Sequence, residues 1–565
     1  MEKIYKKIIL NILKANPKDY AGFLKLKKKY SAEFKLPPVS NATLIKALRQ
    51  LSKTTLKKFK IKKLKKFLIR RQVRTLSGVT PITVLTKPYK CPGKCLYCPA
   101  EPKMPKSYLS NEPAAMRAKL NKFDPAKQVK MRIEALETNG HQVDKIELLI
   151  LGGCFNYYPR KYQKDFIKKC FDVCNSYNQR GLRTPNSQGG KNQCTDIKGQ
   201  VLSCYLKTAT RKFGFLRTQP AKNLVEAFEL NESAKYRIIG ITIETRPDLI
   251  NEKEIKWFRE LGITRVQLGV QHLDNKILEK NKRGHTVEQT IKATKLLKLA
   301  GFKIDYHIMP DLPYSTPAKD LKMYRELFLN QNFQPDQLKI YPTIVNQYAP
   351  LYKLYKKGFY KPYSTYELKN LITKIKLATP YYVRINRLIR DIPKQSIVAG
   401  NPITNLRQVI QTELSKKKLI CKCIRCREAK QDVVNLKQAK LFTIKYPASG
   451  GTEYFISYEN KNRTKLYAFL RLRINKDIQN NFIPELKGAA IVRELHTYGQ
   501  LIPVGFKQKK MVQHTGFGKR LMKIAEDITK KHKLNKIAVI AGVGVRPYYK
   551  KLGYRQLGTY MIKSI

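Results

Sequence analysis

Cys91-Pro-Gly-Lys-Cys95-Leu-Tyr-Cys98 sets three cysteines at C-x3-C-x2-C spacing in a short loop rich in glycine and proline. Three thiolates so placed can ligate three irons of a 4Fe-4S cluster and leave the fourth iron open to a substrate. Ferredoxin-type clusters use four cysteines, and no fourth lies close by. The competing readings fail on ligand number. A tetrahedral zinc site wants four donors, and a disulfide wants an even count in an oxidising compartment.

Outward from the loop the pattern is one of parallel βα units. Val73 to Pro88 alternates in β-branched residues until the proline ends it. Glu112-Pro113 leads into a helix through Met116 and Leu120, and a second helix runs from Ala126 to the glycine stop at Gly140. Lys145-Ile-Glu-Leu-Leu-Ile-Leu151 is almost continuously apolar, which predicts a buried strand, and it ends in Gly152-Gly153. Strands are then expected at Ile238–Glu244, Arg265–Val270, Lys303–Met309 and Gln337–Tyr341, and helices at Glu252–Leu261, Val287–Ala300 and Ala318–Leu329. This alternation predicts an α/β core whose strands curl into a full or partial barrel. Catalytic groups on such a barrel sit at the C-terminal ends of its strands. Gly152-Gly153, Glu244-Thr-Arg246, Gln271-His272 and Asp311-Leu-Pro occupy those positions. The cysteine spacing resembles the signature of radical S-adenosylmethionine enzymes, in which that cofactor chelates the open iron. On this resemblance Gly152, Gly153 and Glu244 are the candidate S-adenosylmethionine contacts.

The chain has 565 residues, room for two to four domains. No run of about eighteen apolar residues is present, and Met-Glu-Lys-Ile-Tyr-Lys-Lys lacks the features of a secretory signal. Six of the eleven cysteines group as ligands would, so a reducing cytoplasm is expected and a membrane partner is not. The formal charge of +72 draws the protein toward a polyanion, nucleic acid first. Abundant Lys, Asn, Ile and Tyr also fit an A+T-rich coding sequence. Residues 1–70 hold only three acids, Glu2, Asp19 and Glu33, and apolar residues at helical spacing on both sides of Pro37-Pro38. A basic helical module suited to docking RNA is expected there, with Lys57-Lys58 to Lys65-Lys66 as a positively charged connection.

Ser176 to Arg217 reads as a polar surface insertion; its Cys194 and Cys204 are too far apart to be a metal signature. Cys421-Lys-Cys423-Ile-Arg-Cys426 packs three thiolates into six residues, which favours zinc with a fourth ligand from elsewhere. His272, His285 and His307 are the candidates for it, and buried free cysteines are the plain alternative. From Lys440 the pattern turns antiparallel, with strands at Thr452–Tyr458, Leu466–Leu472 and Ala489–Thr497. Gln513-His-Thr-Gly-Phe-Gly518 then opens a helix from Lys519 to about Lys530. Glycines there let a phosphate approach unpaired N–H groups. A P-loop would need a Lys-Ser/Thr ending, which is absent. With strand Ile537–Ile540 and the run Arg546-Pro-Tyr548-Tyr549 to Tyr554 behind it, this unit resembles the acetyl-coenzyme A fold of GNAT-type N-acetyltransferases.

A radical core fused to such a domain resembles the catalytic subunit of Elongator and its stand-alone archaeal and bacterial forms. The matching stretches include Val73–Val79, the cysteine loop, Glu112–Ala118, Val143–Lys145, Leu151–Gly153, Thr242–Asp248, Met309–Pro313, Cys421–Glu428 and Arg493–His496. Gln513–Gly518 and Tyr548–Tyr554 complete the match, which covers roughly residues 73–565. Departures are the short gap between the first two cysteines, Cys154 where the family usually has threonine, Ala100-Glu101 for Gly-Gly, and the insertion.

The resemblance implies a radical core at 73–400, a cysteine-rich zinc linker at 401–439 and an α+β GNAT domain at 440–565, while the basic helical module at 1–72 fits the family's tRNA-binding extension by composition alone. It implies an acyltransferase that forms 5-carboxymethyluridine at the tRNA wobble position. Its cofactors would be a 4Fe-4S cluster on Cys91, Cys95 and Cys98, S-adenosylmethionine, acetyl-CoA and zinc on Cys421, Cys423 and Cys426. By residue match, Lys145, Glu494, Leu495, His496, Thr497, Gly516, Phe517, Gly518, Lys519, Tyr548 and Tyr549 line the acetyl-CoA site. A tyrosine, Tyr548 or Tyr549, would be the general acid for the departing CoA thiolate. A homodimer is open to such a chain, and no accessory subunit is implied. Two rivals stand: a protein lysine acetyltransferase with a degenerate radical domain, using Glu494 as base, and a tRNA-binding scaffold without turnover.

Overall fold

The computed structural model describes residues 2–51, 56, 59, 61–69, 78–176, 220–429, 439–498 and 516–565. Lys57-Lys58, Val73–Ser77, most of the Ser176–Arg217 insertion with Cys194 and Cys204, and Gln513–Thr515 lie outside the described residues.

Seven parallel strands form one sheet in sequence order. They are β1 (Thr80–Leu85), β2 (Lys145–Leu151), β3 (Arg237–Thr245), β4 (Arg265–Gln271), β5 (Lys303–Ile308), β6 (Gln337–Ile340) and β7 (Arg384–Arg387). The sheet ends at β1 and β7 rather than closing, so the barrel is partial. Helices between the strands cover its outer face, among them Pro125–Thr138, Arg160–Asn175, Val287–Leu299, Pro317–Leu329 and Thr365–Ala378. Capping boxes start two of them, Thr286 with Gln289 and Ser364 with Glu367.

β2 corrects the expectation of a strand buried on both faces. Ile146, Leu148 and Ile150 are buried, while the residues that alternate with them are half-buried and line a cavity. One face of the strand is wholly apolar, while the other, with Lys145 and Glu147 ahead of Leu149 and Leu151, faces a chamber instead of a packed core.

A second sheet runs in the order β13-β14-β12-β11-β10-β9-β8. Its members are β8 (Lys440–Pro447), β9 (Gly451–Glu459), β10 (Leu466–Asn475), β11 (Ala489–Thr497), β12 (Lys536–Val539), β13 (Arg555–Leu557) and β14 (Tyr560–Ser564). Among the described residues four strands, not three, precede the helix Phe517–Lys531; the fourth, β8, is a largely exposed edge strand in which only Phe442, Ile444 and Tyr446 turn inward. β11 pairs in parallel with β12 only over Ala489–Val492. Arg493 is then the extra residue of a bulge against β10, where Arg471 faces Glu494 and Leu472 faces Val492.

This sheet docks on the barrel's N-terminal strand ends through buried charge. Arg493 Nη1 lies 2.9 Å from Asp336, just before β6, and 2.9 Å from Glu453 on β9. Arg473 joins Glu453 at 3.2 Å, Lys298 joins it at 3.6 Å, and Arg471 reaches Asp336 at 3.6 Å. All six side chains are essentially inaccessible.

At the other extreme of the sequence, the helices Glu2–Ala15, Tyr20–Glu33, Asn41–Arg49 and Ile61–Leu68 enclose a separate core around Ile8, Ile12, Phe23, Leu44 and Leu48. That module meets the barrel where Arg49 donates to the Glu137 carbonyl oxygen at 2.8 Å.

Candidate active site

The cysteine loop lies at the C-terminal ends of the barrel strands and is pinned through its backbone. The Leu96 amide donates to the Asn281 carbonyl at 3.1 Å, and the Leu96 carbonyl accepts from the Leu351 amide at 2.8 Å. Lys106 donates to the Gly93 carbonyl at 2.5 Å. A Cβ at Gly93 would fall 2.3 Å from Arg246 Nη1, so only glycine lets that guanidinium close on the loop.

Cys95 is buried, Cys91 and Cys98 half-buried. Among the described residues, only Cys421, Cys423 and Cys426 have ligand atoms all within 4.8 Å of one another. The Cys91–Cys98 triad is thus too open for a single tetrahedral ion, whose donors each sit about 2.3 Å from it. A four-iron cluster needs that wider cage. Burial pushes the Cys98 thiol up to about 12, so it becomes a thiolate only where a bound metal drives the proton off. A hydrogen bond with the Cys154 thiol, then the Gly93 amide, Lys106 and Arg246, hold Cys91 below its ordinary value against burial.

The predicted S-adenosylmethionine contacts come together beside this loop. Gly152 and Gly153 have φ of +125° and +103°, a backbone that side chains rarely adopt. Glu244 at the end of β3 accepts from the Tyr108 hydroxyl at 2.7 Å and the Gly152 amide at 3.4 Å. Of the other strand-end residues, Gln271 and Arg246 line the cavity. His272 instead lies 3.4 Å from Asp320, and Asp311 accepts from the Tyr363 amide at 3.0 Å.

The predicted acetyl-CoA contacts collect at the opposite end of the barrel. Gly516 caps the helix Phe517–Lys531 in the left-handed region at φ +76°. A Cβ on Gly518 would meet the Tyr548 hydroxyl at 2.7 Å, so this glycine makes room for the tyrosine over the first helical turn. Leu495, His496 and Thr497 line the same wall, beyond the point where β11 leaves β12. Phe517 is buried against Tyr458, while Lys519 lines the cavity. Tyr549 is only 6 % exposed, with its ring packed against Tyr554 and Tyr548; Tyr548 presents the more accessible hydroxyl. Burial pushes Tyr548 up to about 12. Lys145, at the N-terminal end of β2, is lowered by burial.

Glu494 bonds Arg471 at 3.0 Å and faces Lys303 at 3.8 Å. Burial favours its acid form, but Lys303 and Arg471 hold the carboxyl below the usual carboxylate range.

One cavity of about 1370 Å³ joins the two ends through the barrel. Its length along β4 is six residue steps, about 20 Å at about 3.3 Å each. The middle is polar. Lys339 donates to Gln267 at 2.5 Å and lies 3.7 Å from Glu244, and burial lowers it to about 8. His307 lies 3.2 Å from Gln267, and Asn386 donates to Asp305 at 2.8 Å. Sequence reasoning missed Gln267, Asp305, Lys339 and Asn386, and read His307 only as a possible zinc ligand. Their signal was polar residues at every second position of strands otherwise read as core, as in Arg265-Val-Gln267 and Gln337-Leu-Lys339.

Cys421, Cys423 and Cys426 converge as expected, with Cys421 and Cys423 fully buried. The proposed histidine ligands are not there. His272 is beside Asp320, His307 is in the barrel, and His285 is near Arg283, Arg246 and the Val270 backbone. The polar neighbours of Cys426 are Lys376 Nζ at 3.4 Å and Gln411 Oε1 at 3.6 Å.

The sequence matches the radical SAM superfamily over residues 213–324, the radical SAM C-terminal domain over 335–416 and the GNAT acetyltransferase domain over 508–563. A tRNA uridine(34) acetyltransferase of Methanocaldococcus jannaschii is 41% identical over 515 residues, 88% of this chain and 86% of the relative. Human Elongator complex protein 3 is 35% identical, over 88% and 86% of the two chains. The solved structure of Methanocaldococcus infernus Elp3 lacking residues 1–46 superposes with a TM-score of 0.69 at 38% identity, over 87% of this chain and 100% of that one. With both ends of its chamber matched in one polypeptide, the chain belongs to the tRNA uridine(34) acetyltransferase family, the radical SAM and GNAT proteins that include Elongator complex protein 3.

Proposed function

We propose that the protein converts the wobble uridine of tRNA to 5-carboxymethyluridine, taking the two carbons from acetyl-CoA. The observation that carries this reading is the single cavity running from the Cys91–Cys98 loop to the gap between β11 and β12. An acyl donor bound at one end and a carbon-radical cofactor at the other would share one continuous space. Its volume exceeds the roughly 300–1,000 Å³ of an ordinary ligand pocket.

Cys91, Cys95 and Cys98 would hold the cluster, with Gly152, Gly153 and Glu244 beside the S-adenosylmethionine. That pair, when bound, supplies one-electron chemistry able to activate an unreactive C–H bond. The chain's own residues do the rest. Backbone amides at Gly516–Lys519 receive the phosphates of CoA. Tyr548, kept protonated by burial, donates its proton to the CoA sulfur as the acyl carbon–sulfur bond breaks and water supplies the new carboxylate oxygen. Lys339, Gln267 and Glu244 form a fixed hydrogen-bonded wall midway, suited to steering a polar two-carbon fragment. Lysines of the N-terminal helices meet tRNA phosphates. Zinc on Cys421, Cys423 and Cys426 would brace the segment between the domains, with Lys376 and Gln411 as the near polar groups.

The protein lysine acetyltransferase alternative needs a base that can take a proton from an ammonium group. Glu494, clamped by Arg471 and Lys303, is a poor one. Incubating anaerobically reconstituted protein with tRNA, acetyl-CoA, S-adenosylmethionine and a reductant, then analysing wobble nucleosides by mass spectrometry, tests the proposal. 5-Carboxymethyluridine that disappears when either cofactor is omitted is expected. An unmodified wobble base with acetylated protein lysines would overturn it.

A further inference from the structure

Positive charge gathers around the cysteine loop in excess of the carboxylates that could balance it. Arg283 is 6 % exposed, and its Nη1 donates to Cys95 Sγ at 3.5 Å. Its Nη2 bonds the Gly269 carbonyl oxygen, and its Nε finds no partner. Among the described residues it forms no ion pair with a carboxylate; the acidic groups around it are the Tyr97 hydroxyl and the Cys95 and Cys154 thiols, and of these it hydrogen-bonds the Cys95 sulfur. Arg246 is placed differently. At 3 % exposure it is matched by Asp248 at 2.9 Å, with only Nη1 left over against Gly93. Lys106 closes the other side through the Gly93 carbonyl.

A guanidinium stays charged in any protein environment. Burying it without a counter-ion is costly, and the cost is recovered only where an anion comes to meet it. On the reading of Cys91, Cys95 and Cys98 as cluster ligands, that anion is the liganded Cys95 thiolate and the cluster behind it. We propose that Arg283 is a positioning residue that sets the cluster's reduction potential through the Cys95 sulfur. Reduction adds one electron, from an external low-potential one-electron donor, and no proton. The added negative charge lies in a buried site of low dielectric, where a nearby fixed cation stabilises the reduced form more than the oxidised one. Hydrogen bonds to ligand sulfurs and local net charge are the levers by which proteins tune such clusters. Arg283 supplies both at once, and Arg246, already neutralised by Asp248, supplies less.

The test uses full-length protein, anaerobically reconstituted, as the unaltered chain, Arg283→Lys and Arg283→Met. Iron and acid-labile sulfide are counted, and the cluster is titrated with dithionite under electron paramagnetic resonance. Arg283→Met is expected to keep its cluster while the ratio of reduced to oxidised form, at the unaltered protein's midpoint, falls at least tenfold. For a one-electron couple this is a shift of about 59 mV to more negative potential. Arg283→Lys should fall between. An unchanged midpoint in Arg283→Met overturns the inference. So does loss of the cluster from both variants, which would make Arg283 a builder of the loop instead. If the unaltered protein takes up no four-iron cluster, the iron count shows that the cysteine reading itself has failed.

Discussion

Tyr548 holds its hydroxyl over the first turn of the helix Phe517–Lys531, in space that Gly518 leaves free. Burial raises this phenol to about 12, so it remains a proton donor across the working pH range. Tyr548→Phe should therefore lower turnover by about 10²-fold or more while leaving acetyl-CoA affinity nearly unchanged. In the unaltered enzyme this group should give no alkaline limb between pH 7 and about 10, because a raised pKa postpones loss of the proton. Rate profiles and calorimetric binding for the two proteins would check both statements. A fall in affinity with unchanged turnover would reassign Tyr548 to packing. The neighbouring Tyr549 shows what sequence left undecided: the two tyrosines are adjacent in the chain, and only burial separates the more accessible hydroxyl from the ring packed against Tyr554. The same limit hid Arg283, a charged residue outside every recognised motif whose meaning depends on contact with Cys95, far away in the chain.

Among the elements, those with strong one-dimensional patterns were readable. β2 was placed to the residue from its apolar run, and β3 through β6 within a residue or two. Three kinds were not. The helix Arg160–Asn175 was not placed, though it buries Phe166, Ile167, Cys170, Phe171 and Cys174 at helical spacing between its charged residues. β8 buries only Tyr446 fully, so its alternation of Phe442, Ile444 and Tyr446 with exposed residues is shallow. The chamber-facing side of the barrel strands is polar where a packed barrel would be apolar, so its residues read as noise. The segment Cys421–Cys426 was legible as a ligand group but not its surroundings, because Lys376 and Gln411 come from helices distant in sequence. Structural zinc contributes folding free energy directly. Cys423→Ala should abolish zinc uptake and lower Tm by roughly 4–8 °C, as a loss of about 2 kcal/mol does to domains of 150–250 residues. Iron content should not change. Elemental analysis with calorimetry checks this, and a Tm unaltered by the substitution would leave these thiols as ordinary core residues.

At the scale of the whole molecule, the two catalytic domains share one continuous apolar core, with a buried ion cluster set into it. Burial favours the acid form of Asp336, but Arg493, Lys298, Arg471 and the Ile304 amide outweigh it and hold the carboxyl down at about 2. Removing one partner of a buried pair strands the other's charge, so Asp336→Asn should cost about 3–5 kcal/mol in urea unfolding. The sign of the pH effect follows from the lowered folded value. The contribution is complete above the unfolded carboxyl's value near about 3.9 and is lost as pH falls toward about 2. Equal stability of Asp336→Asn and the unaltered chain at neutral pH would contradict this picture of the interface.

The N-terminal helices form their own core and touch the barrel lightly. Deleting residues 1–70 should weaken tRNA binding and flatten its salt dependence, since fewer counterions are released. The modified nucleotide should stay the same, because phosphate contacts position a nucleic acid without reading it. Binding curves at several salt concentrations, with nucleoside mapping, separate the two effects.

The central claim is that one chamber carries acetyl carbon from the CoA end of the barrel to a base presented at the cluster end. The most direct measurement supplies acetyl-CoA labelled with carbon-13 at both acetyl carbons and follows the label by mass spectrometry of tRNA nucleosides and of the protein. The account predicts both labelled carbons together in 5-carboxymethyluridine at the wobble position. Label confined to protein lysines, or a wobble modification without labelled carbon, would contradict it.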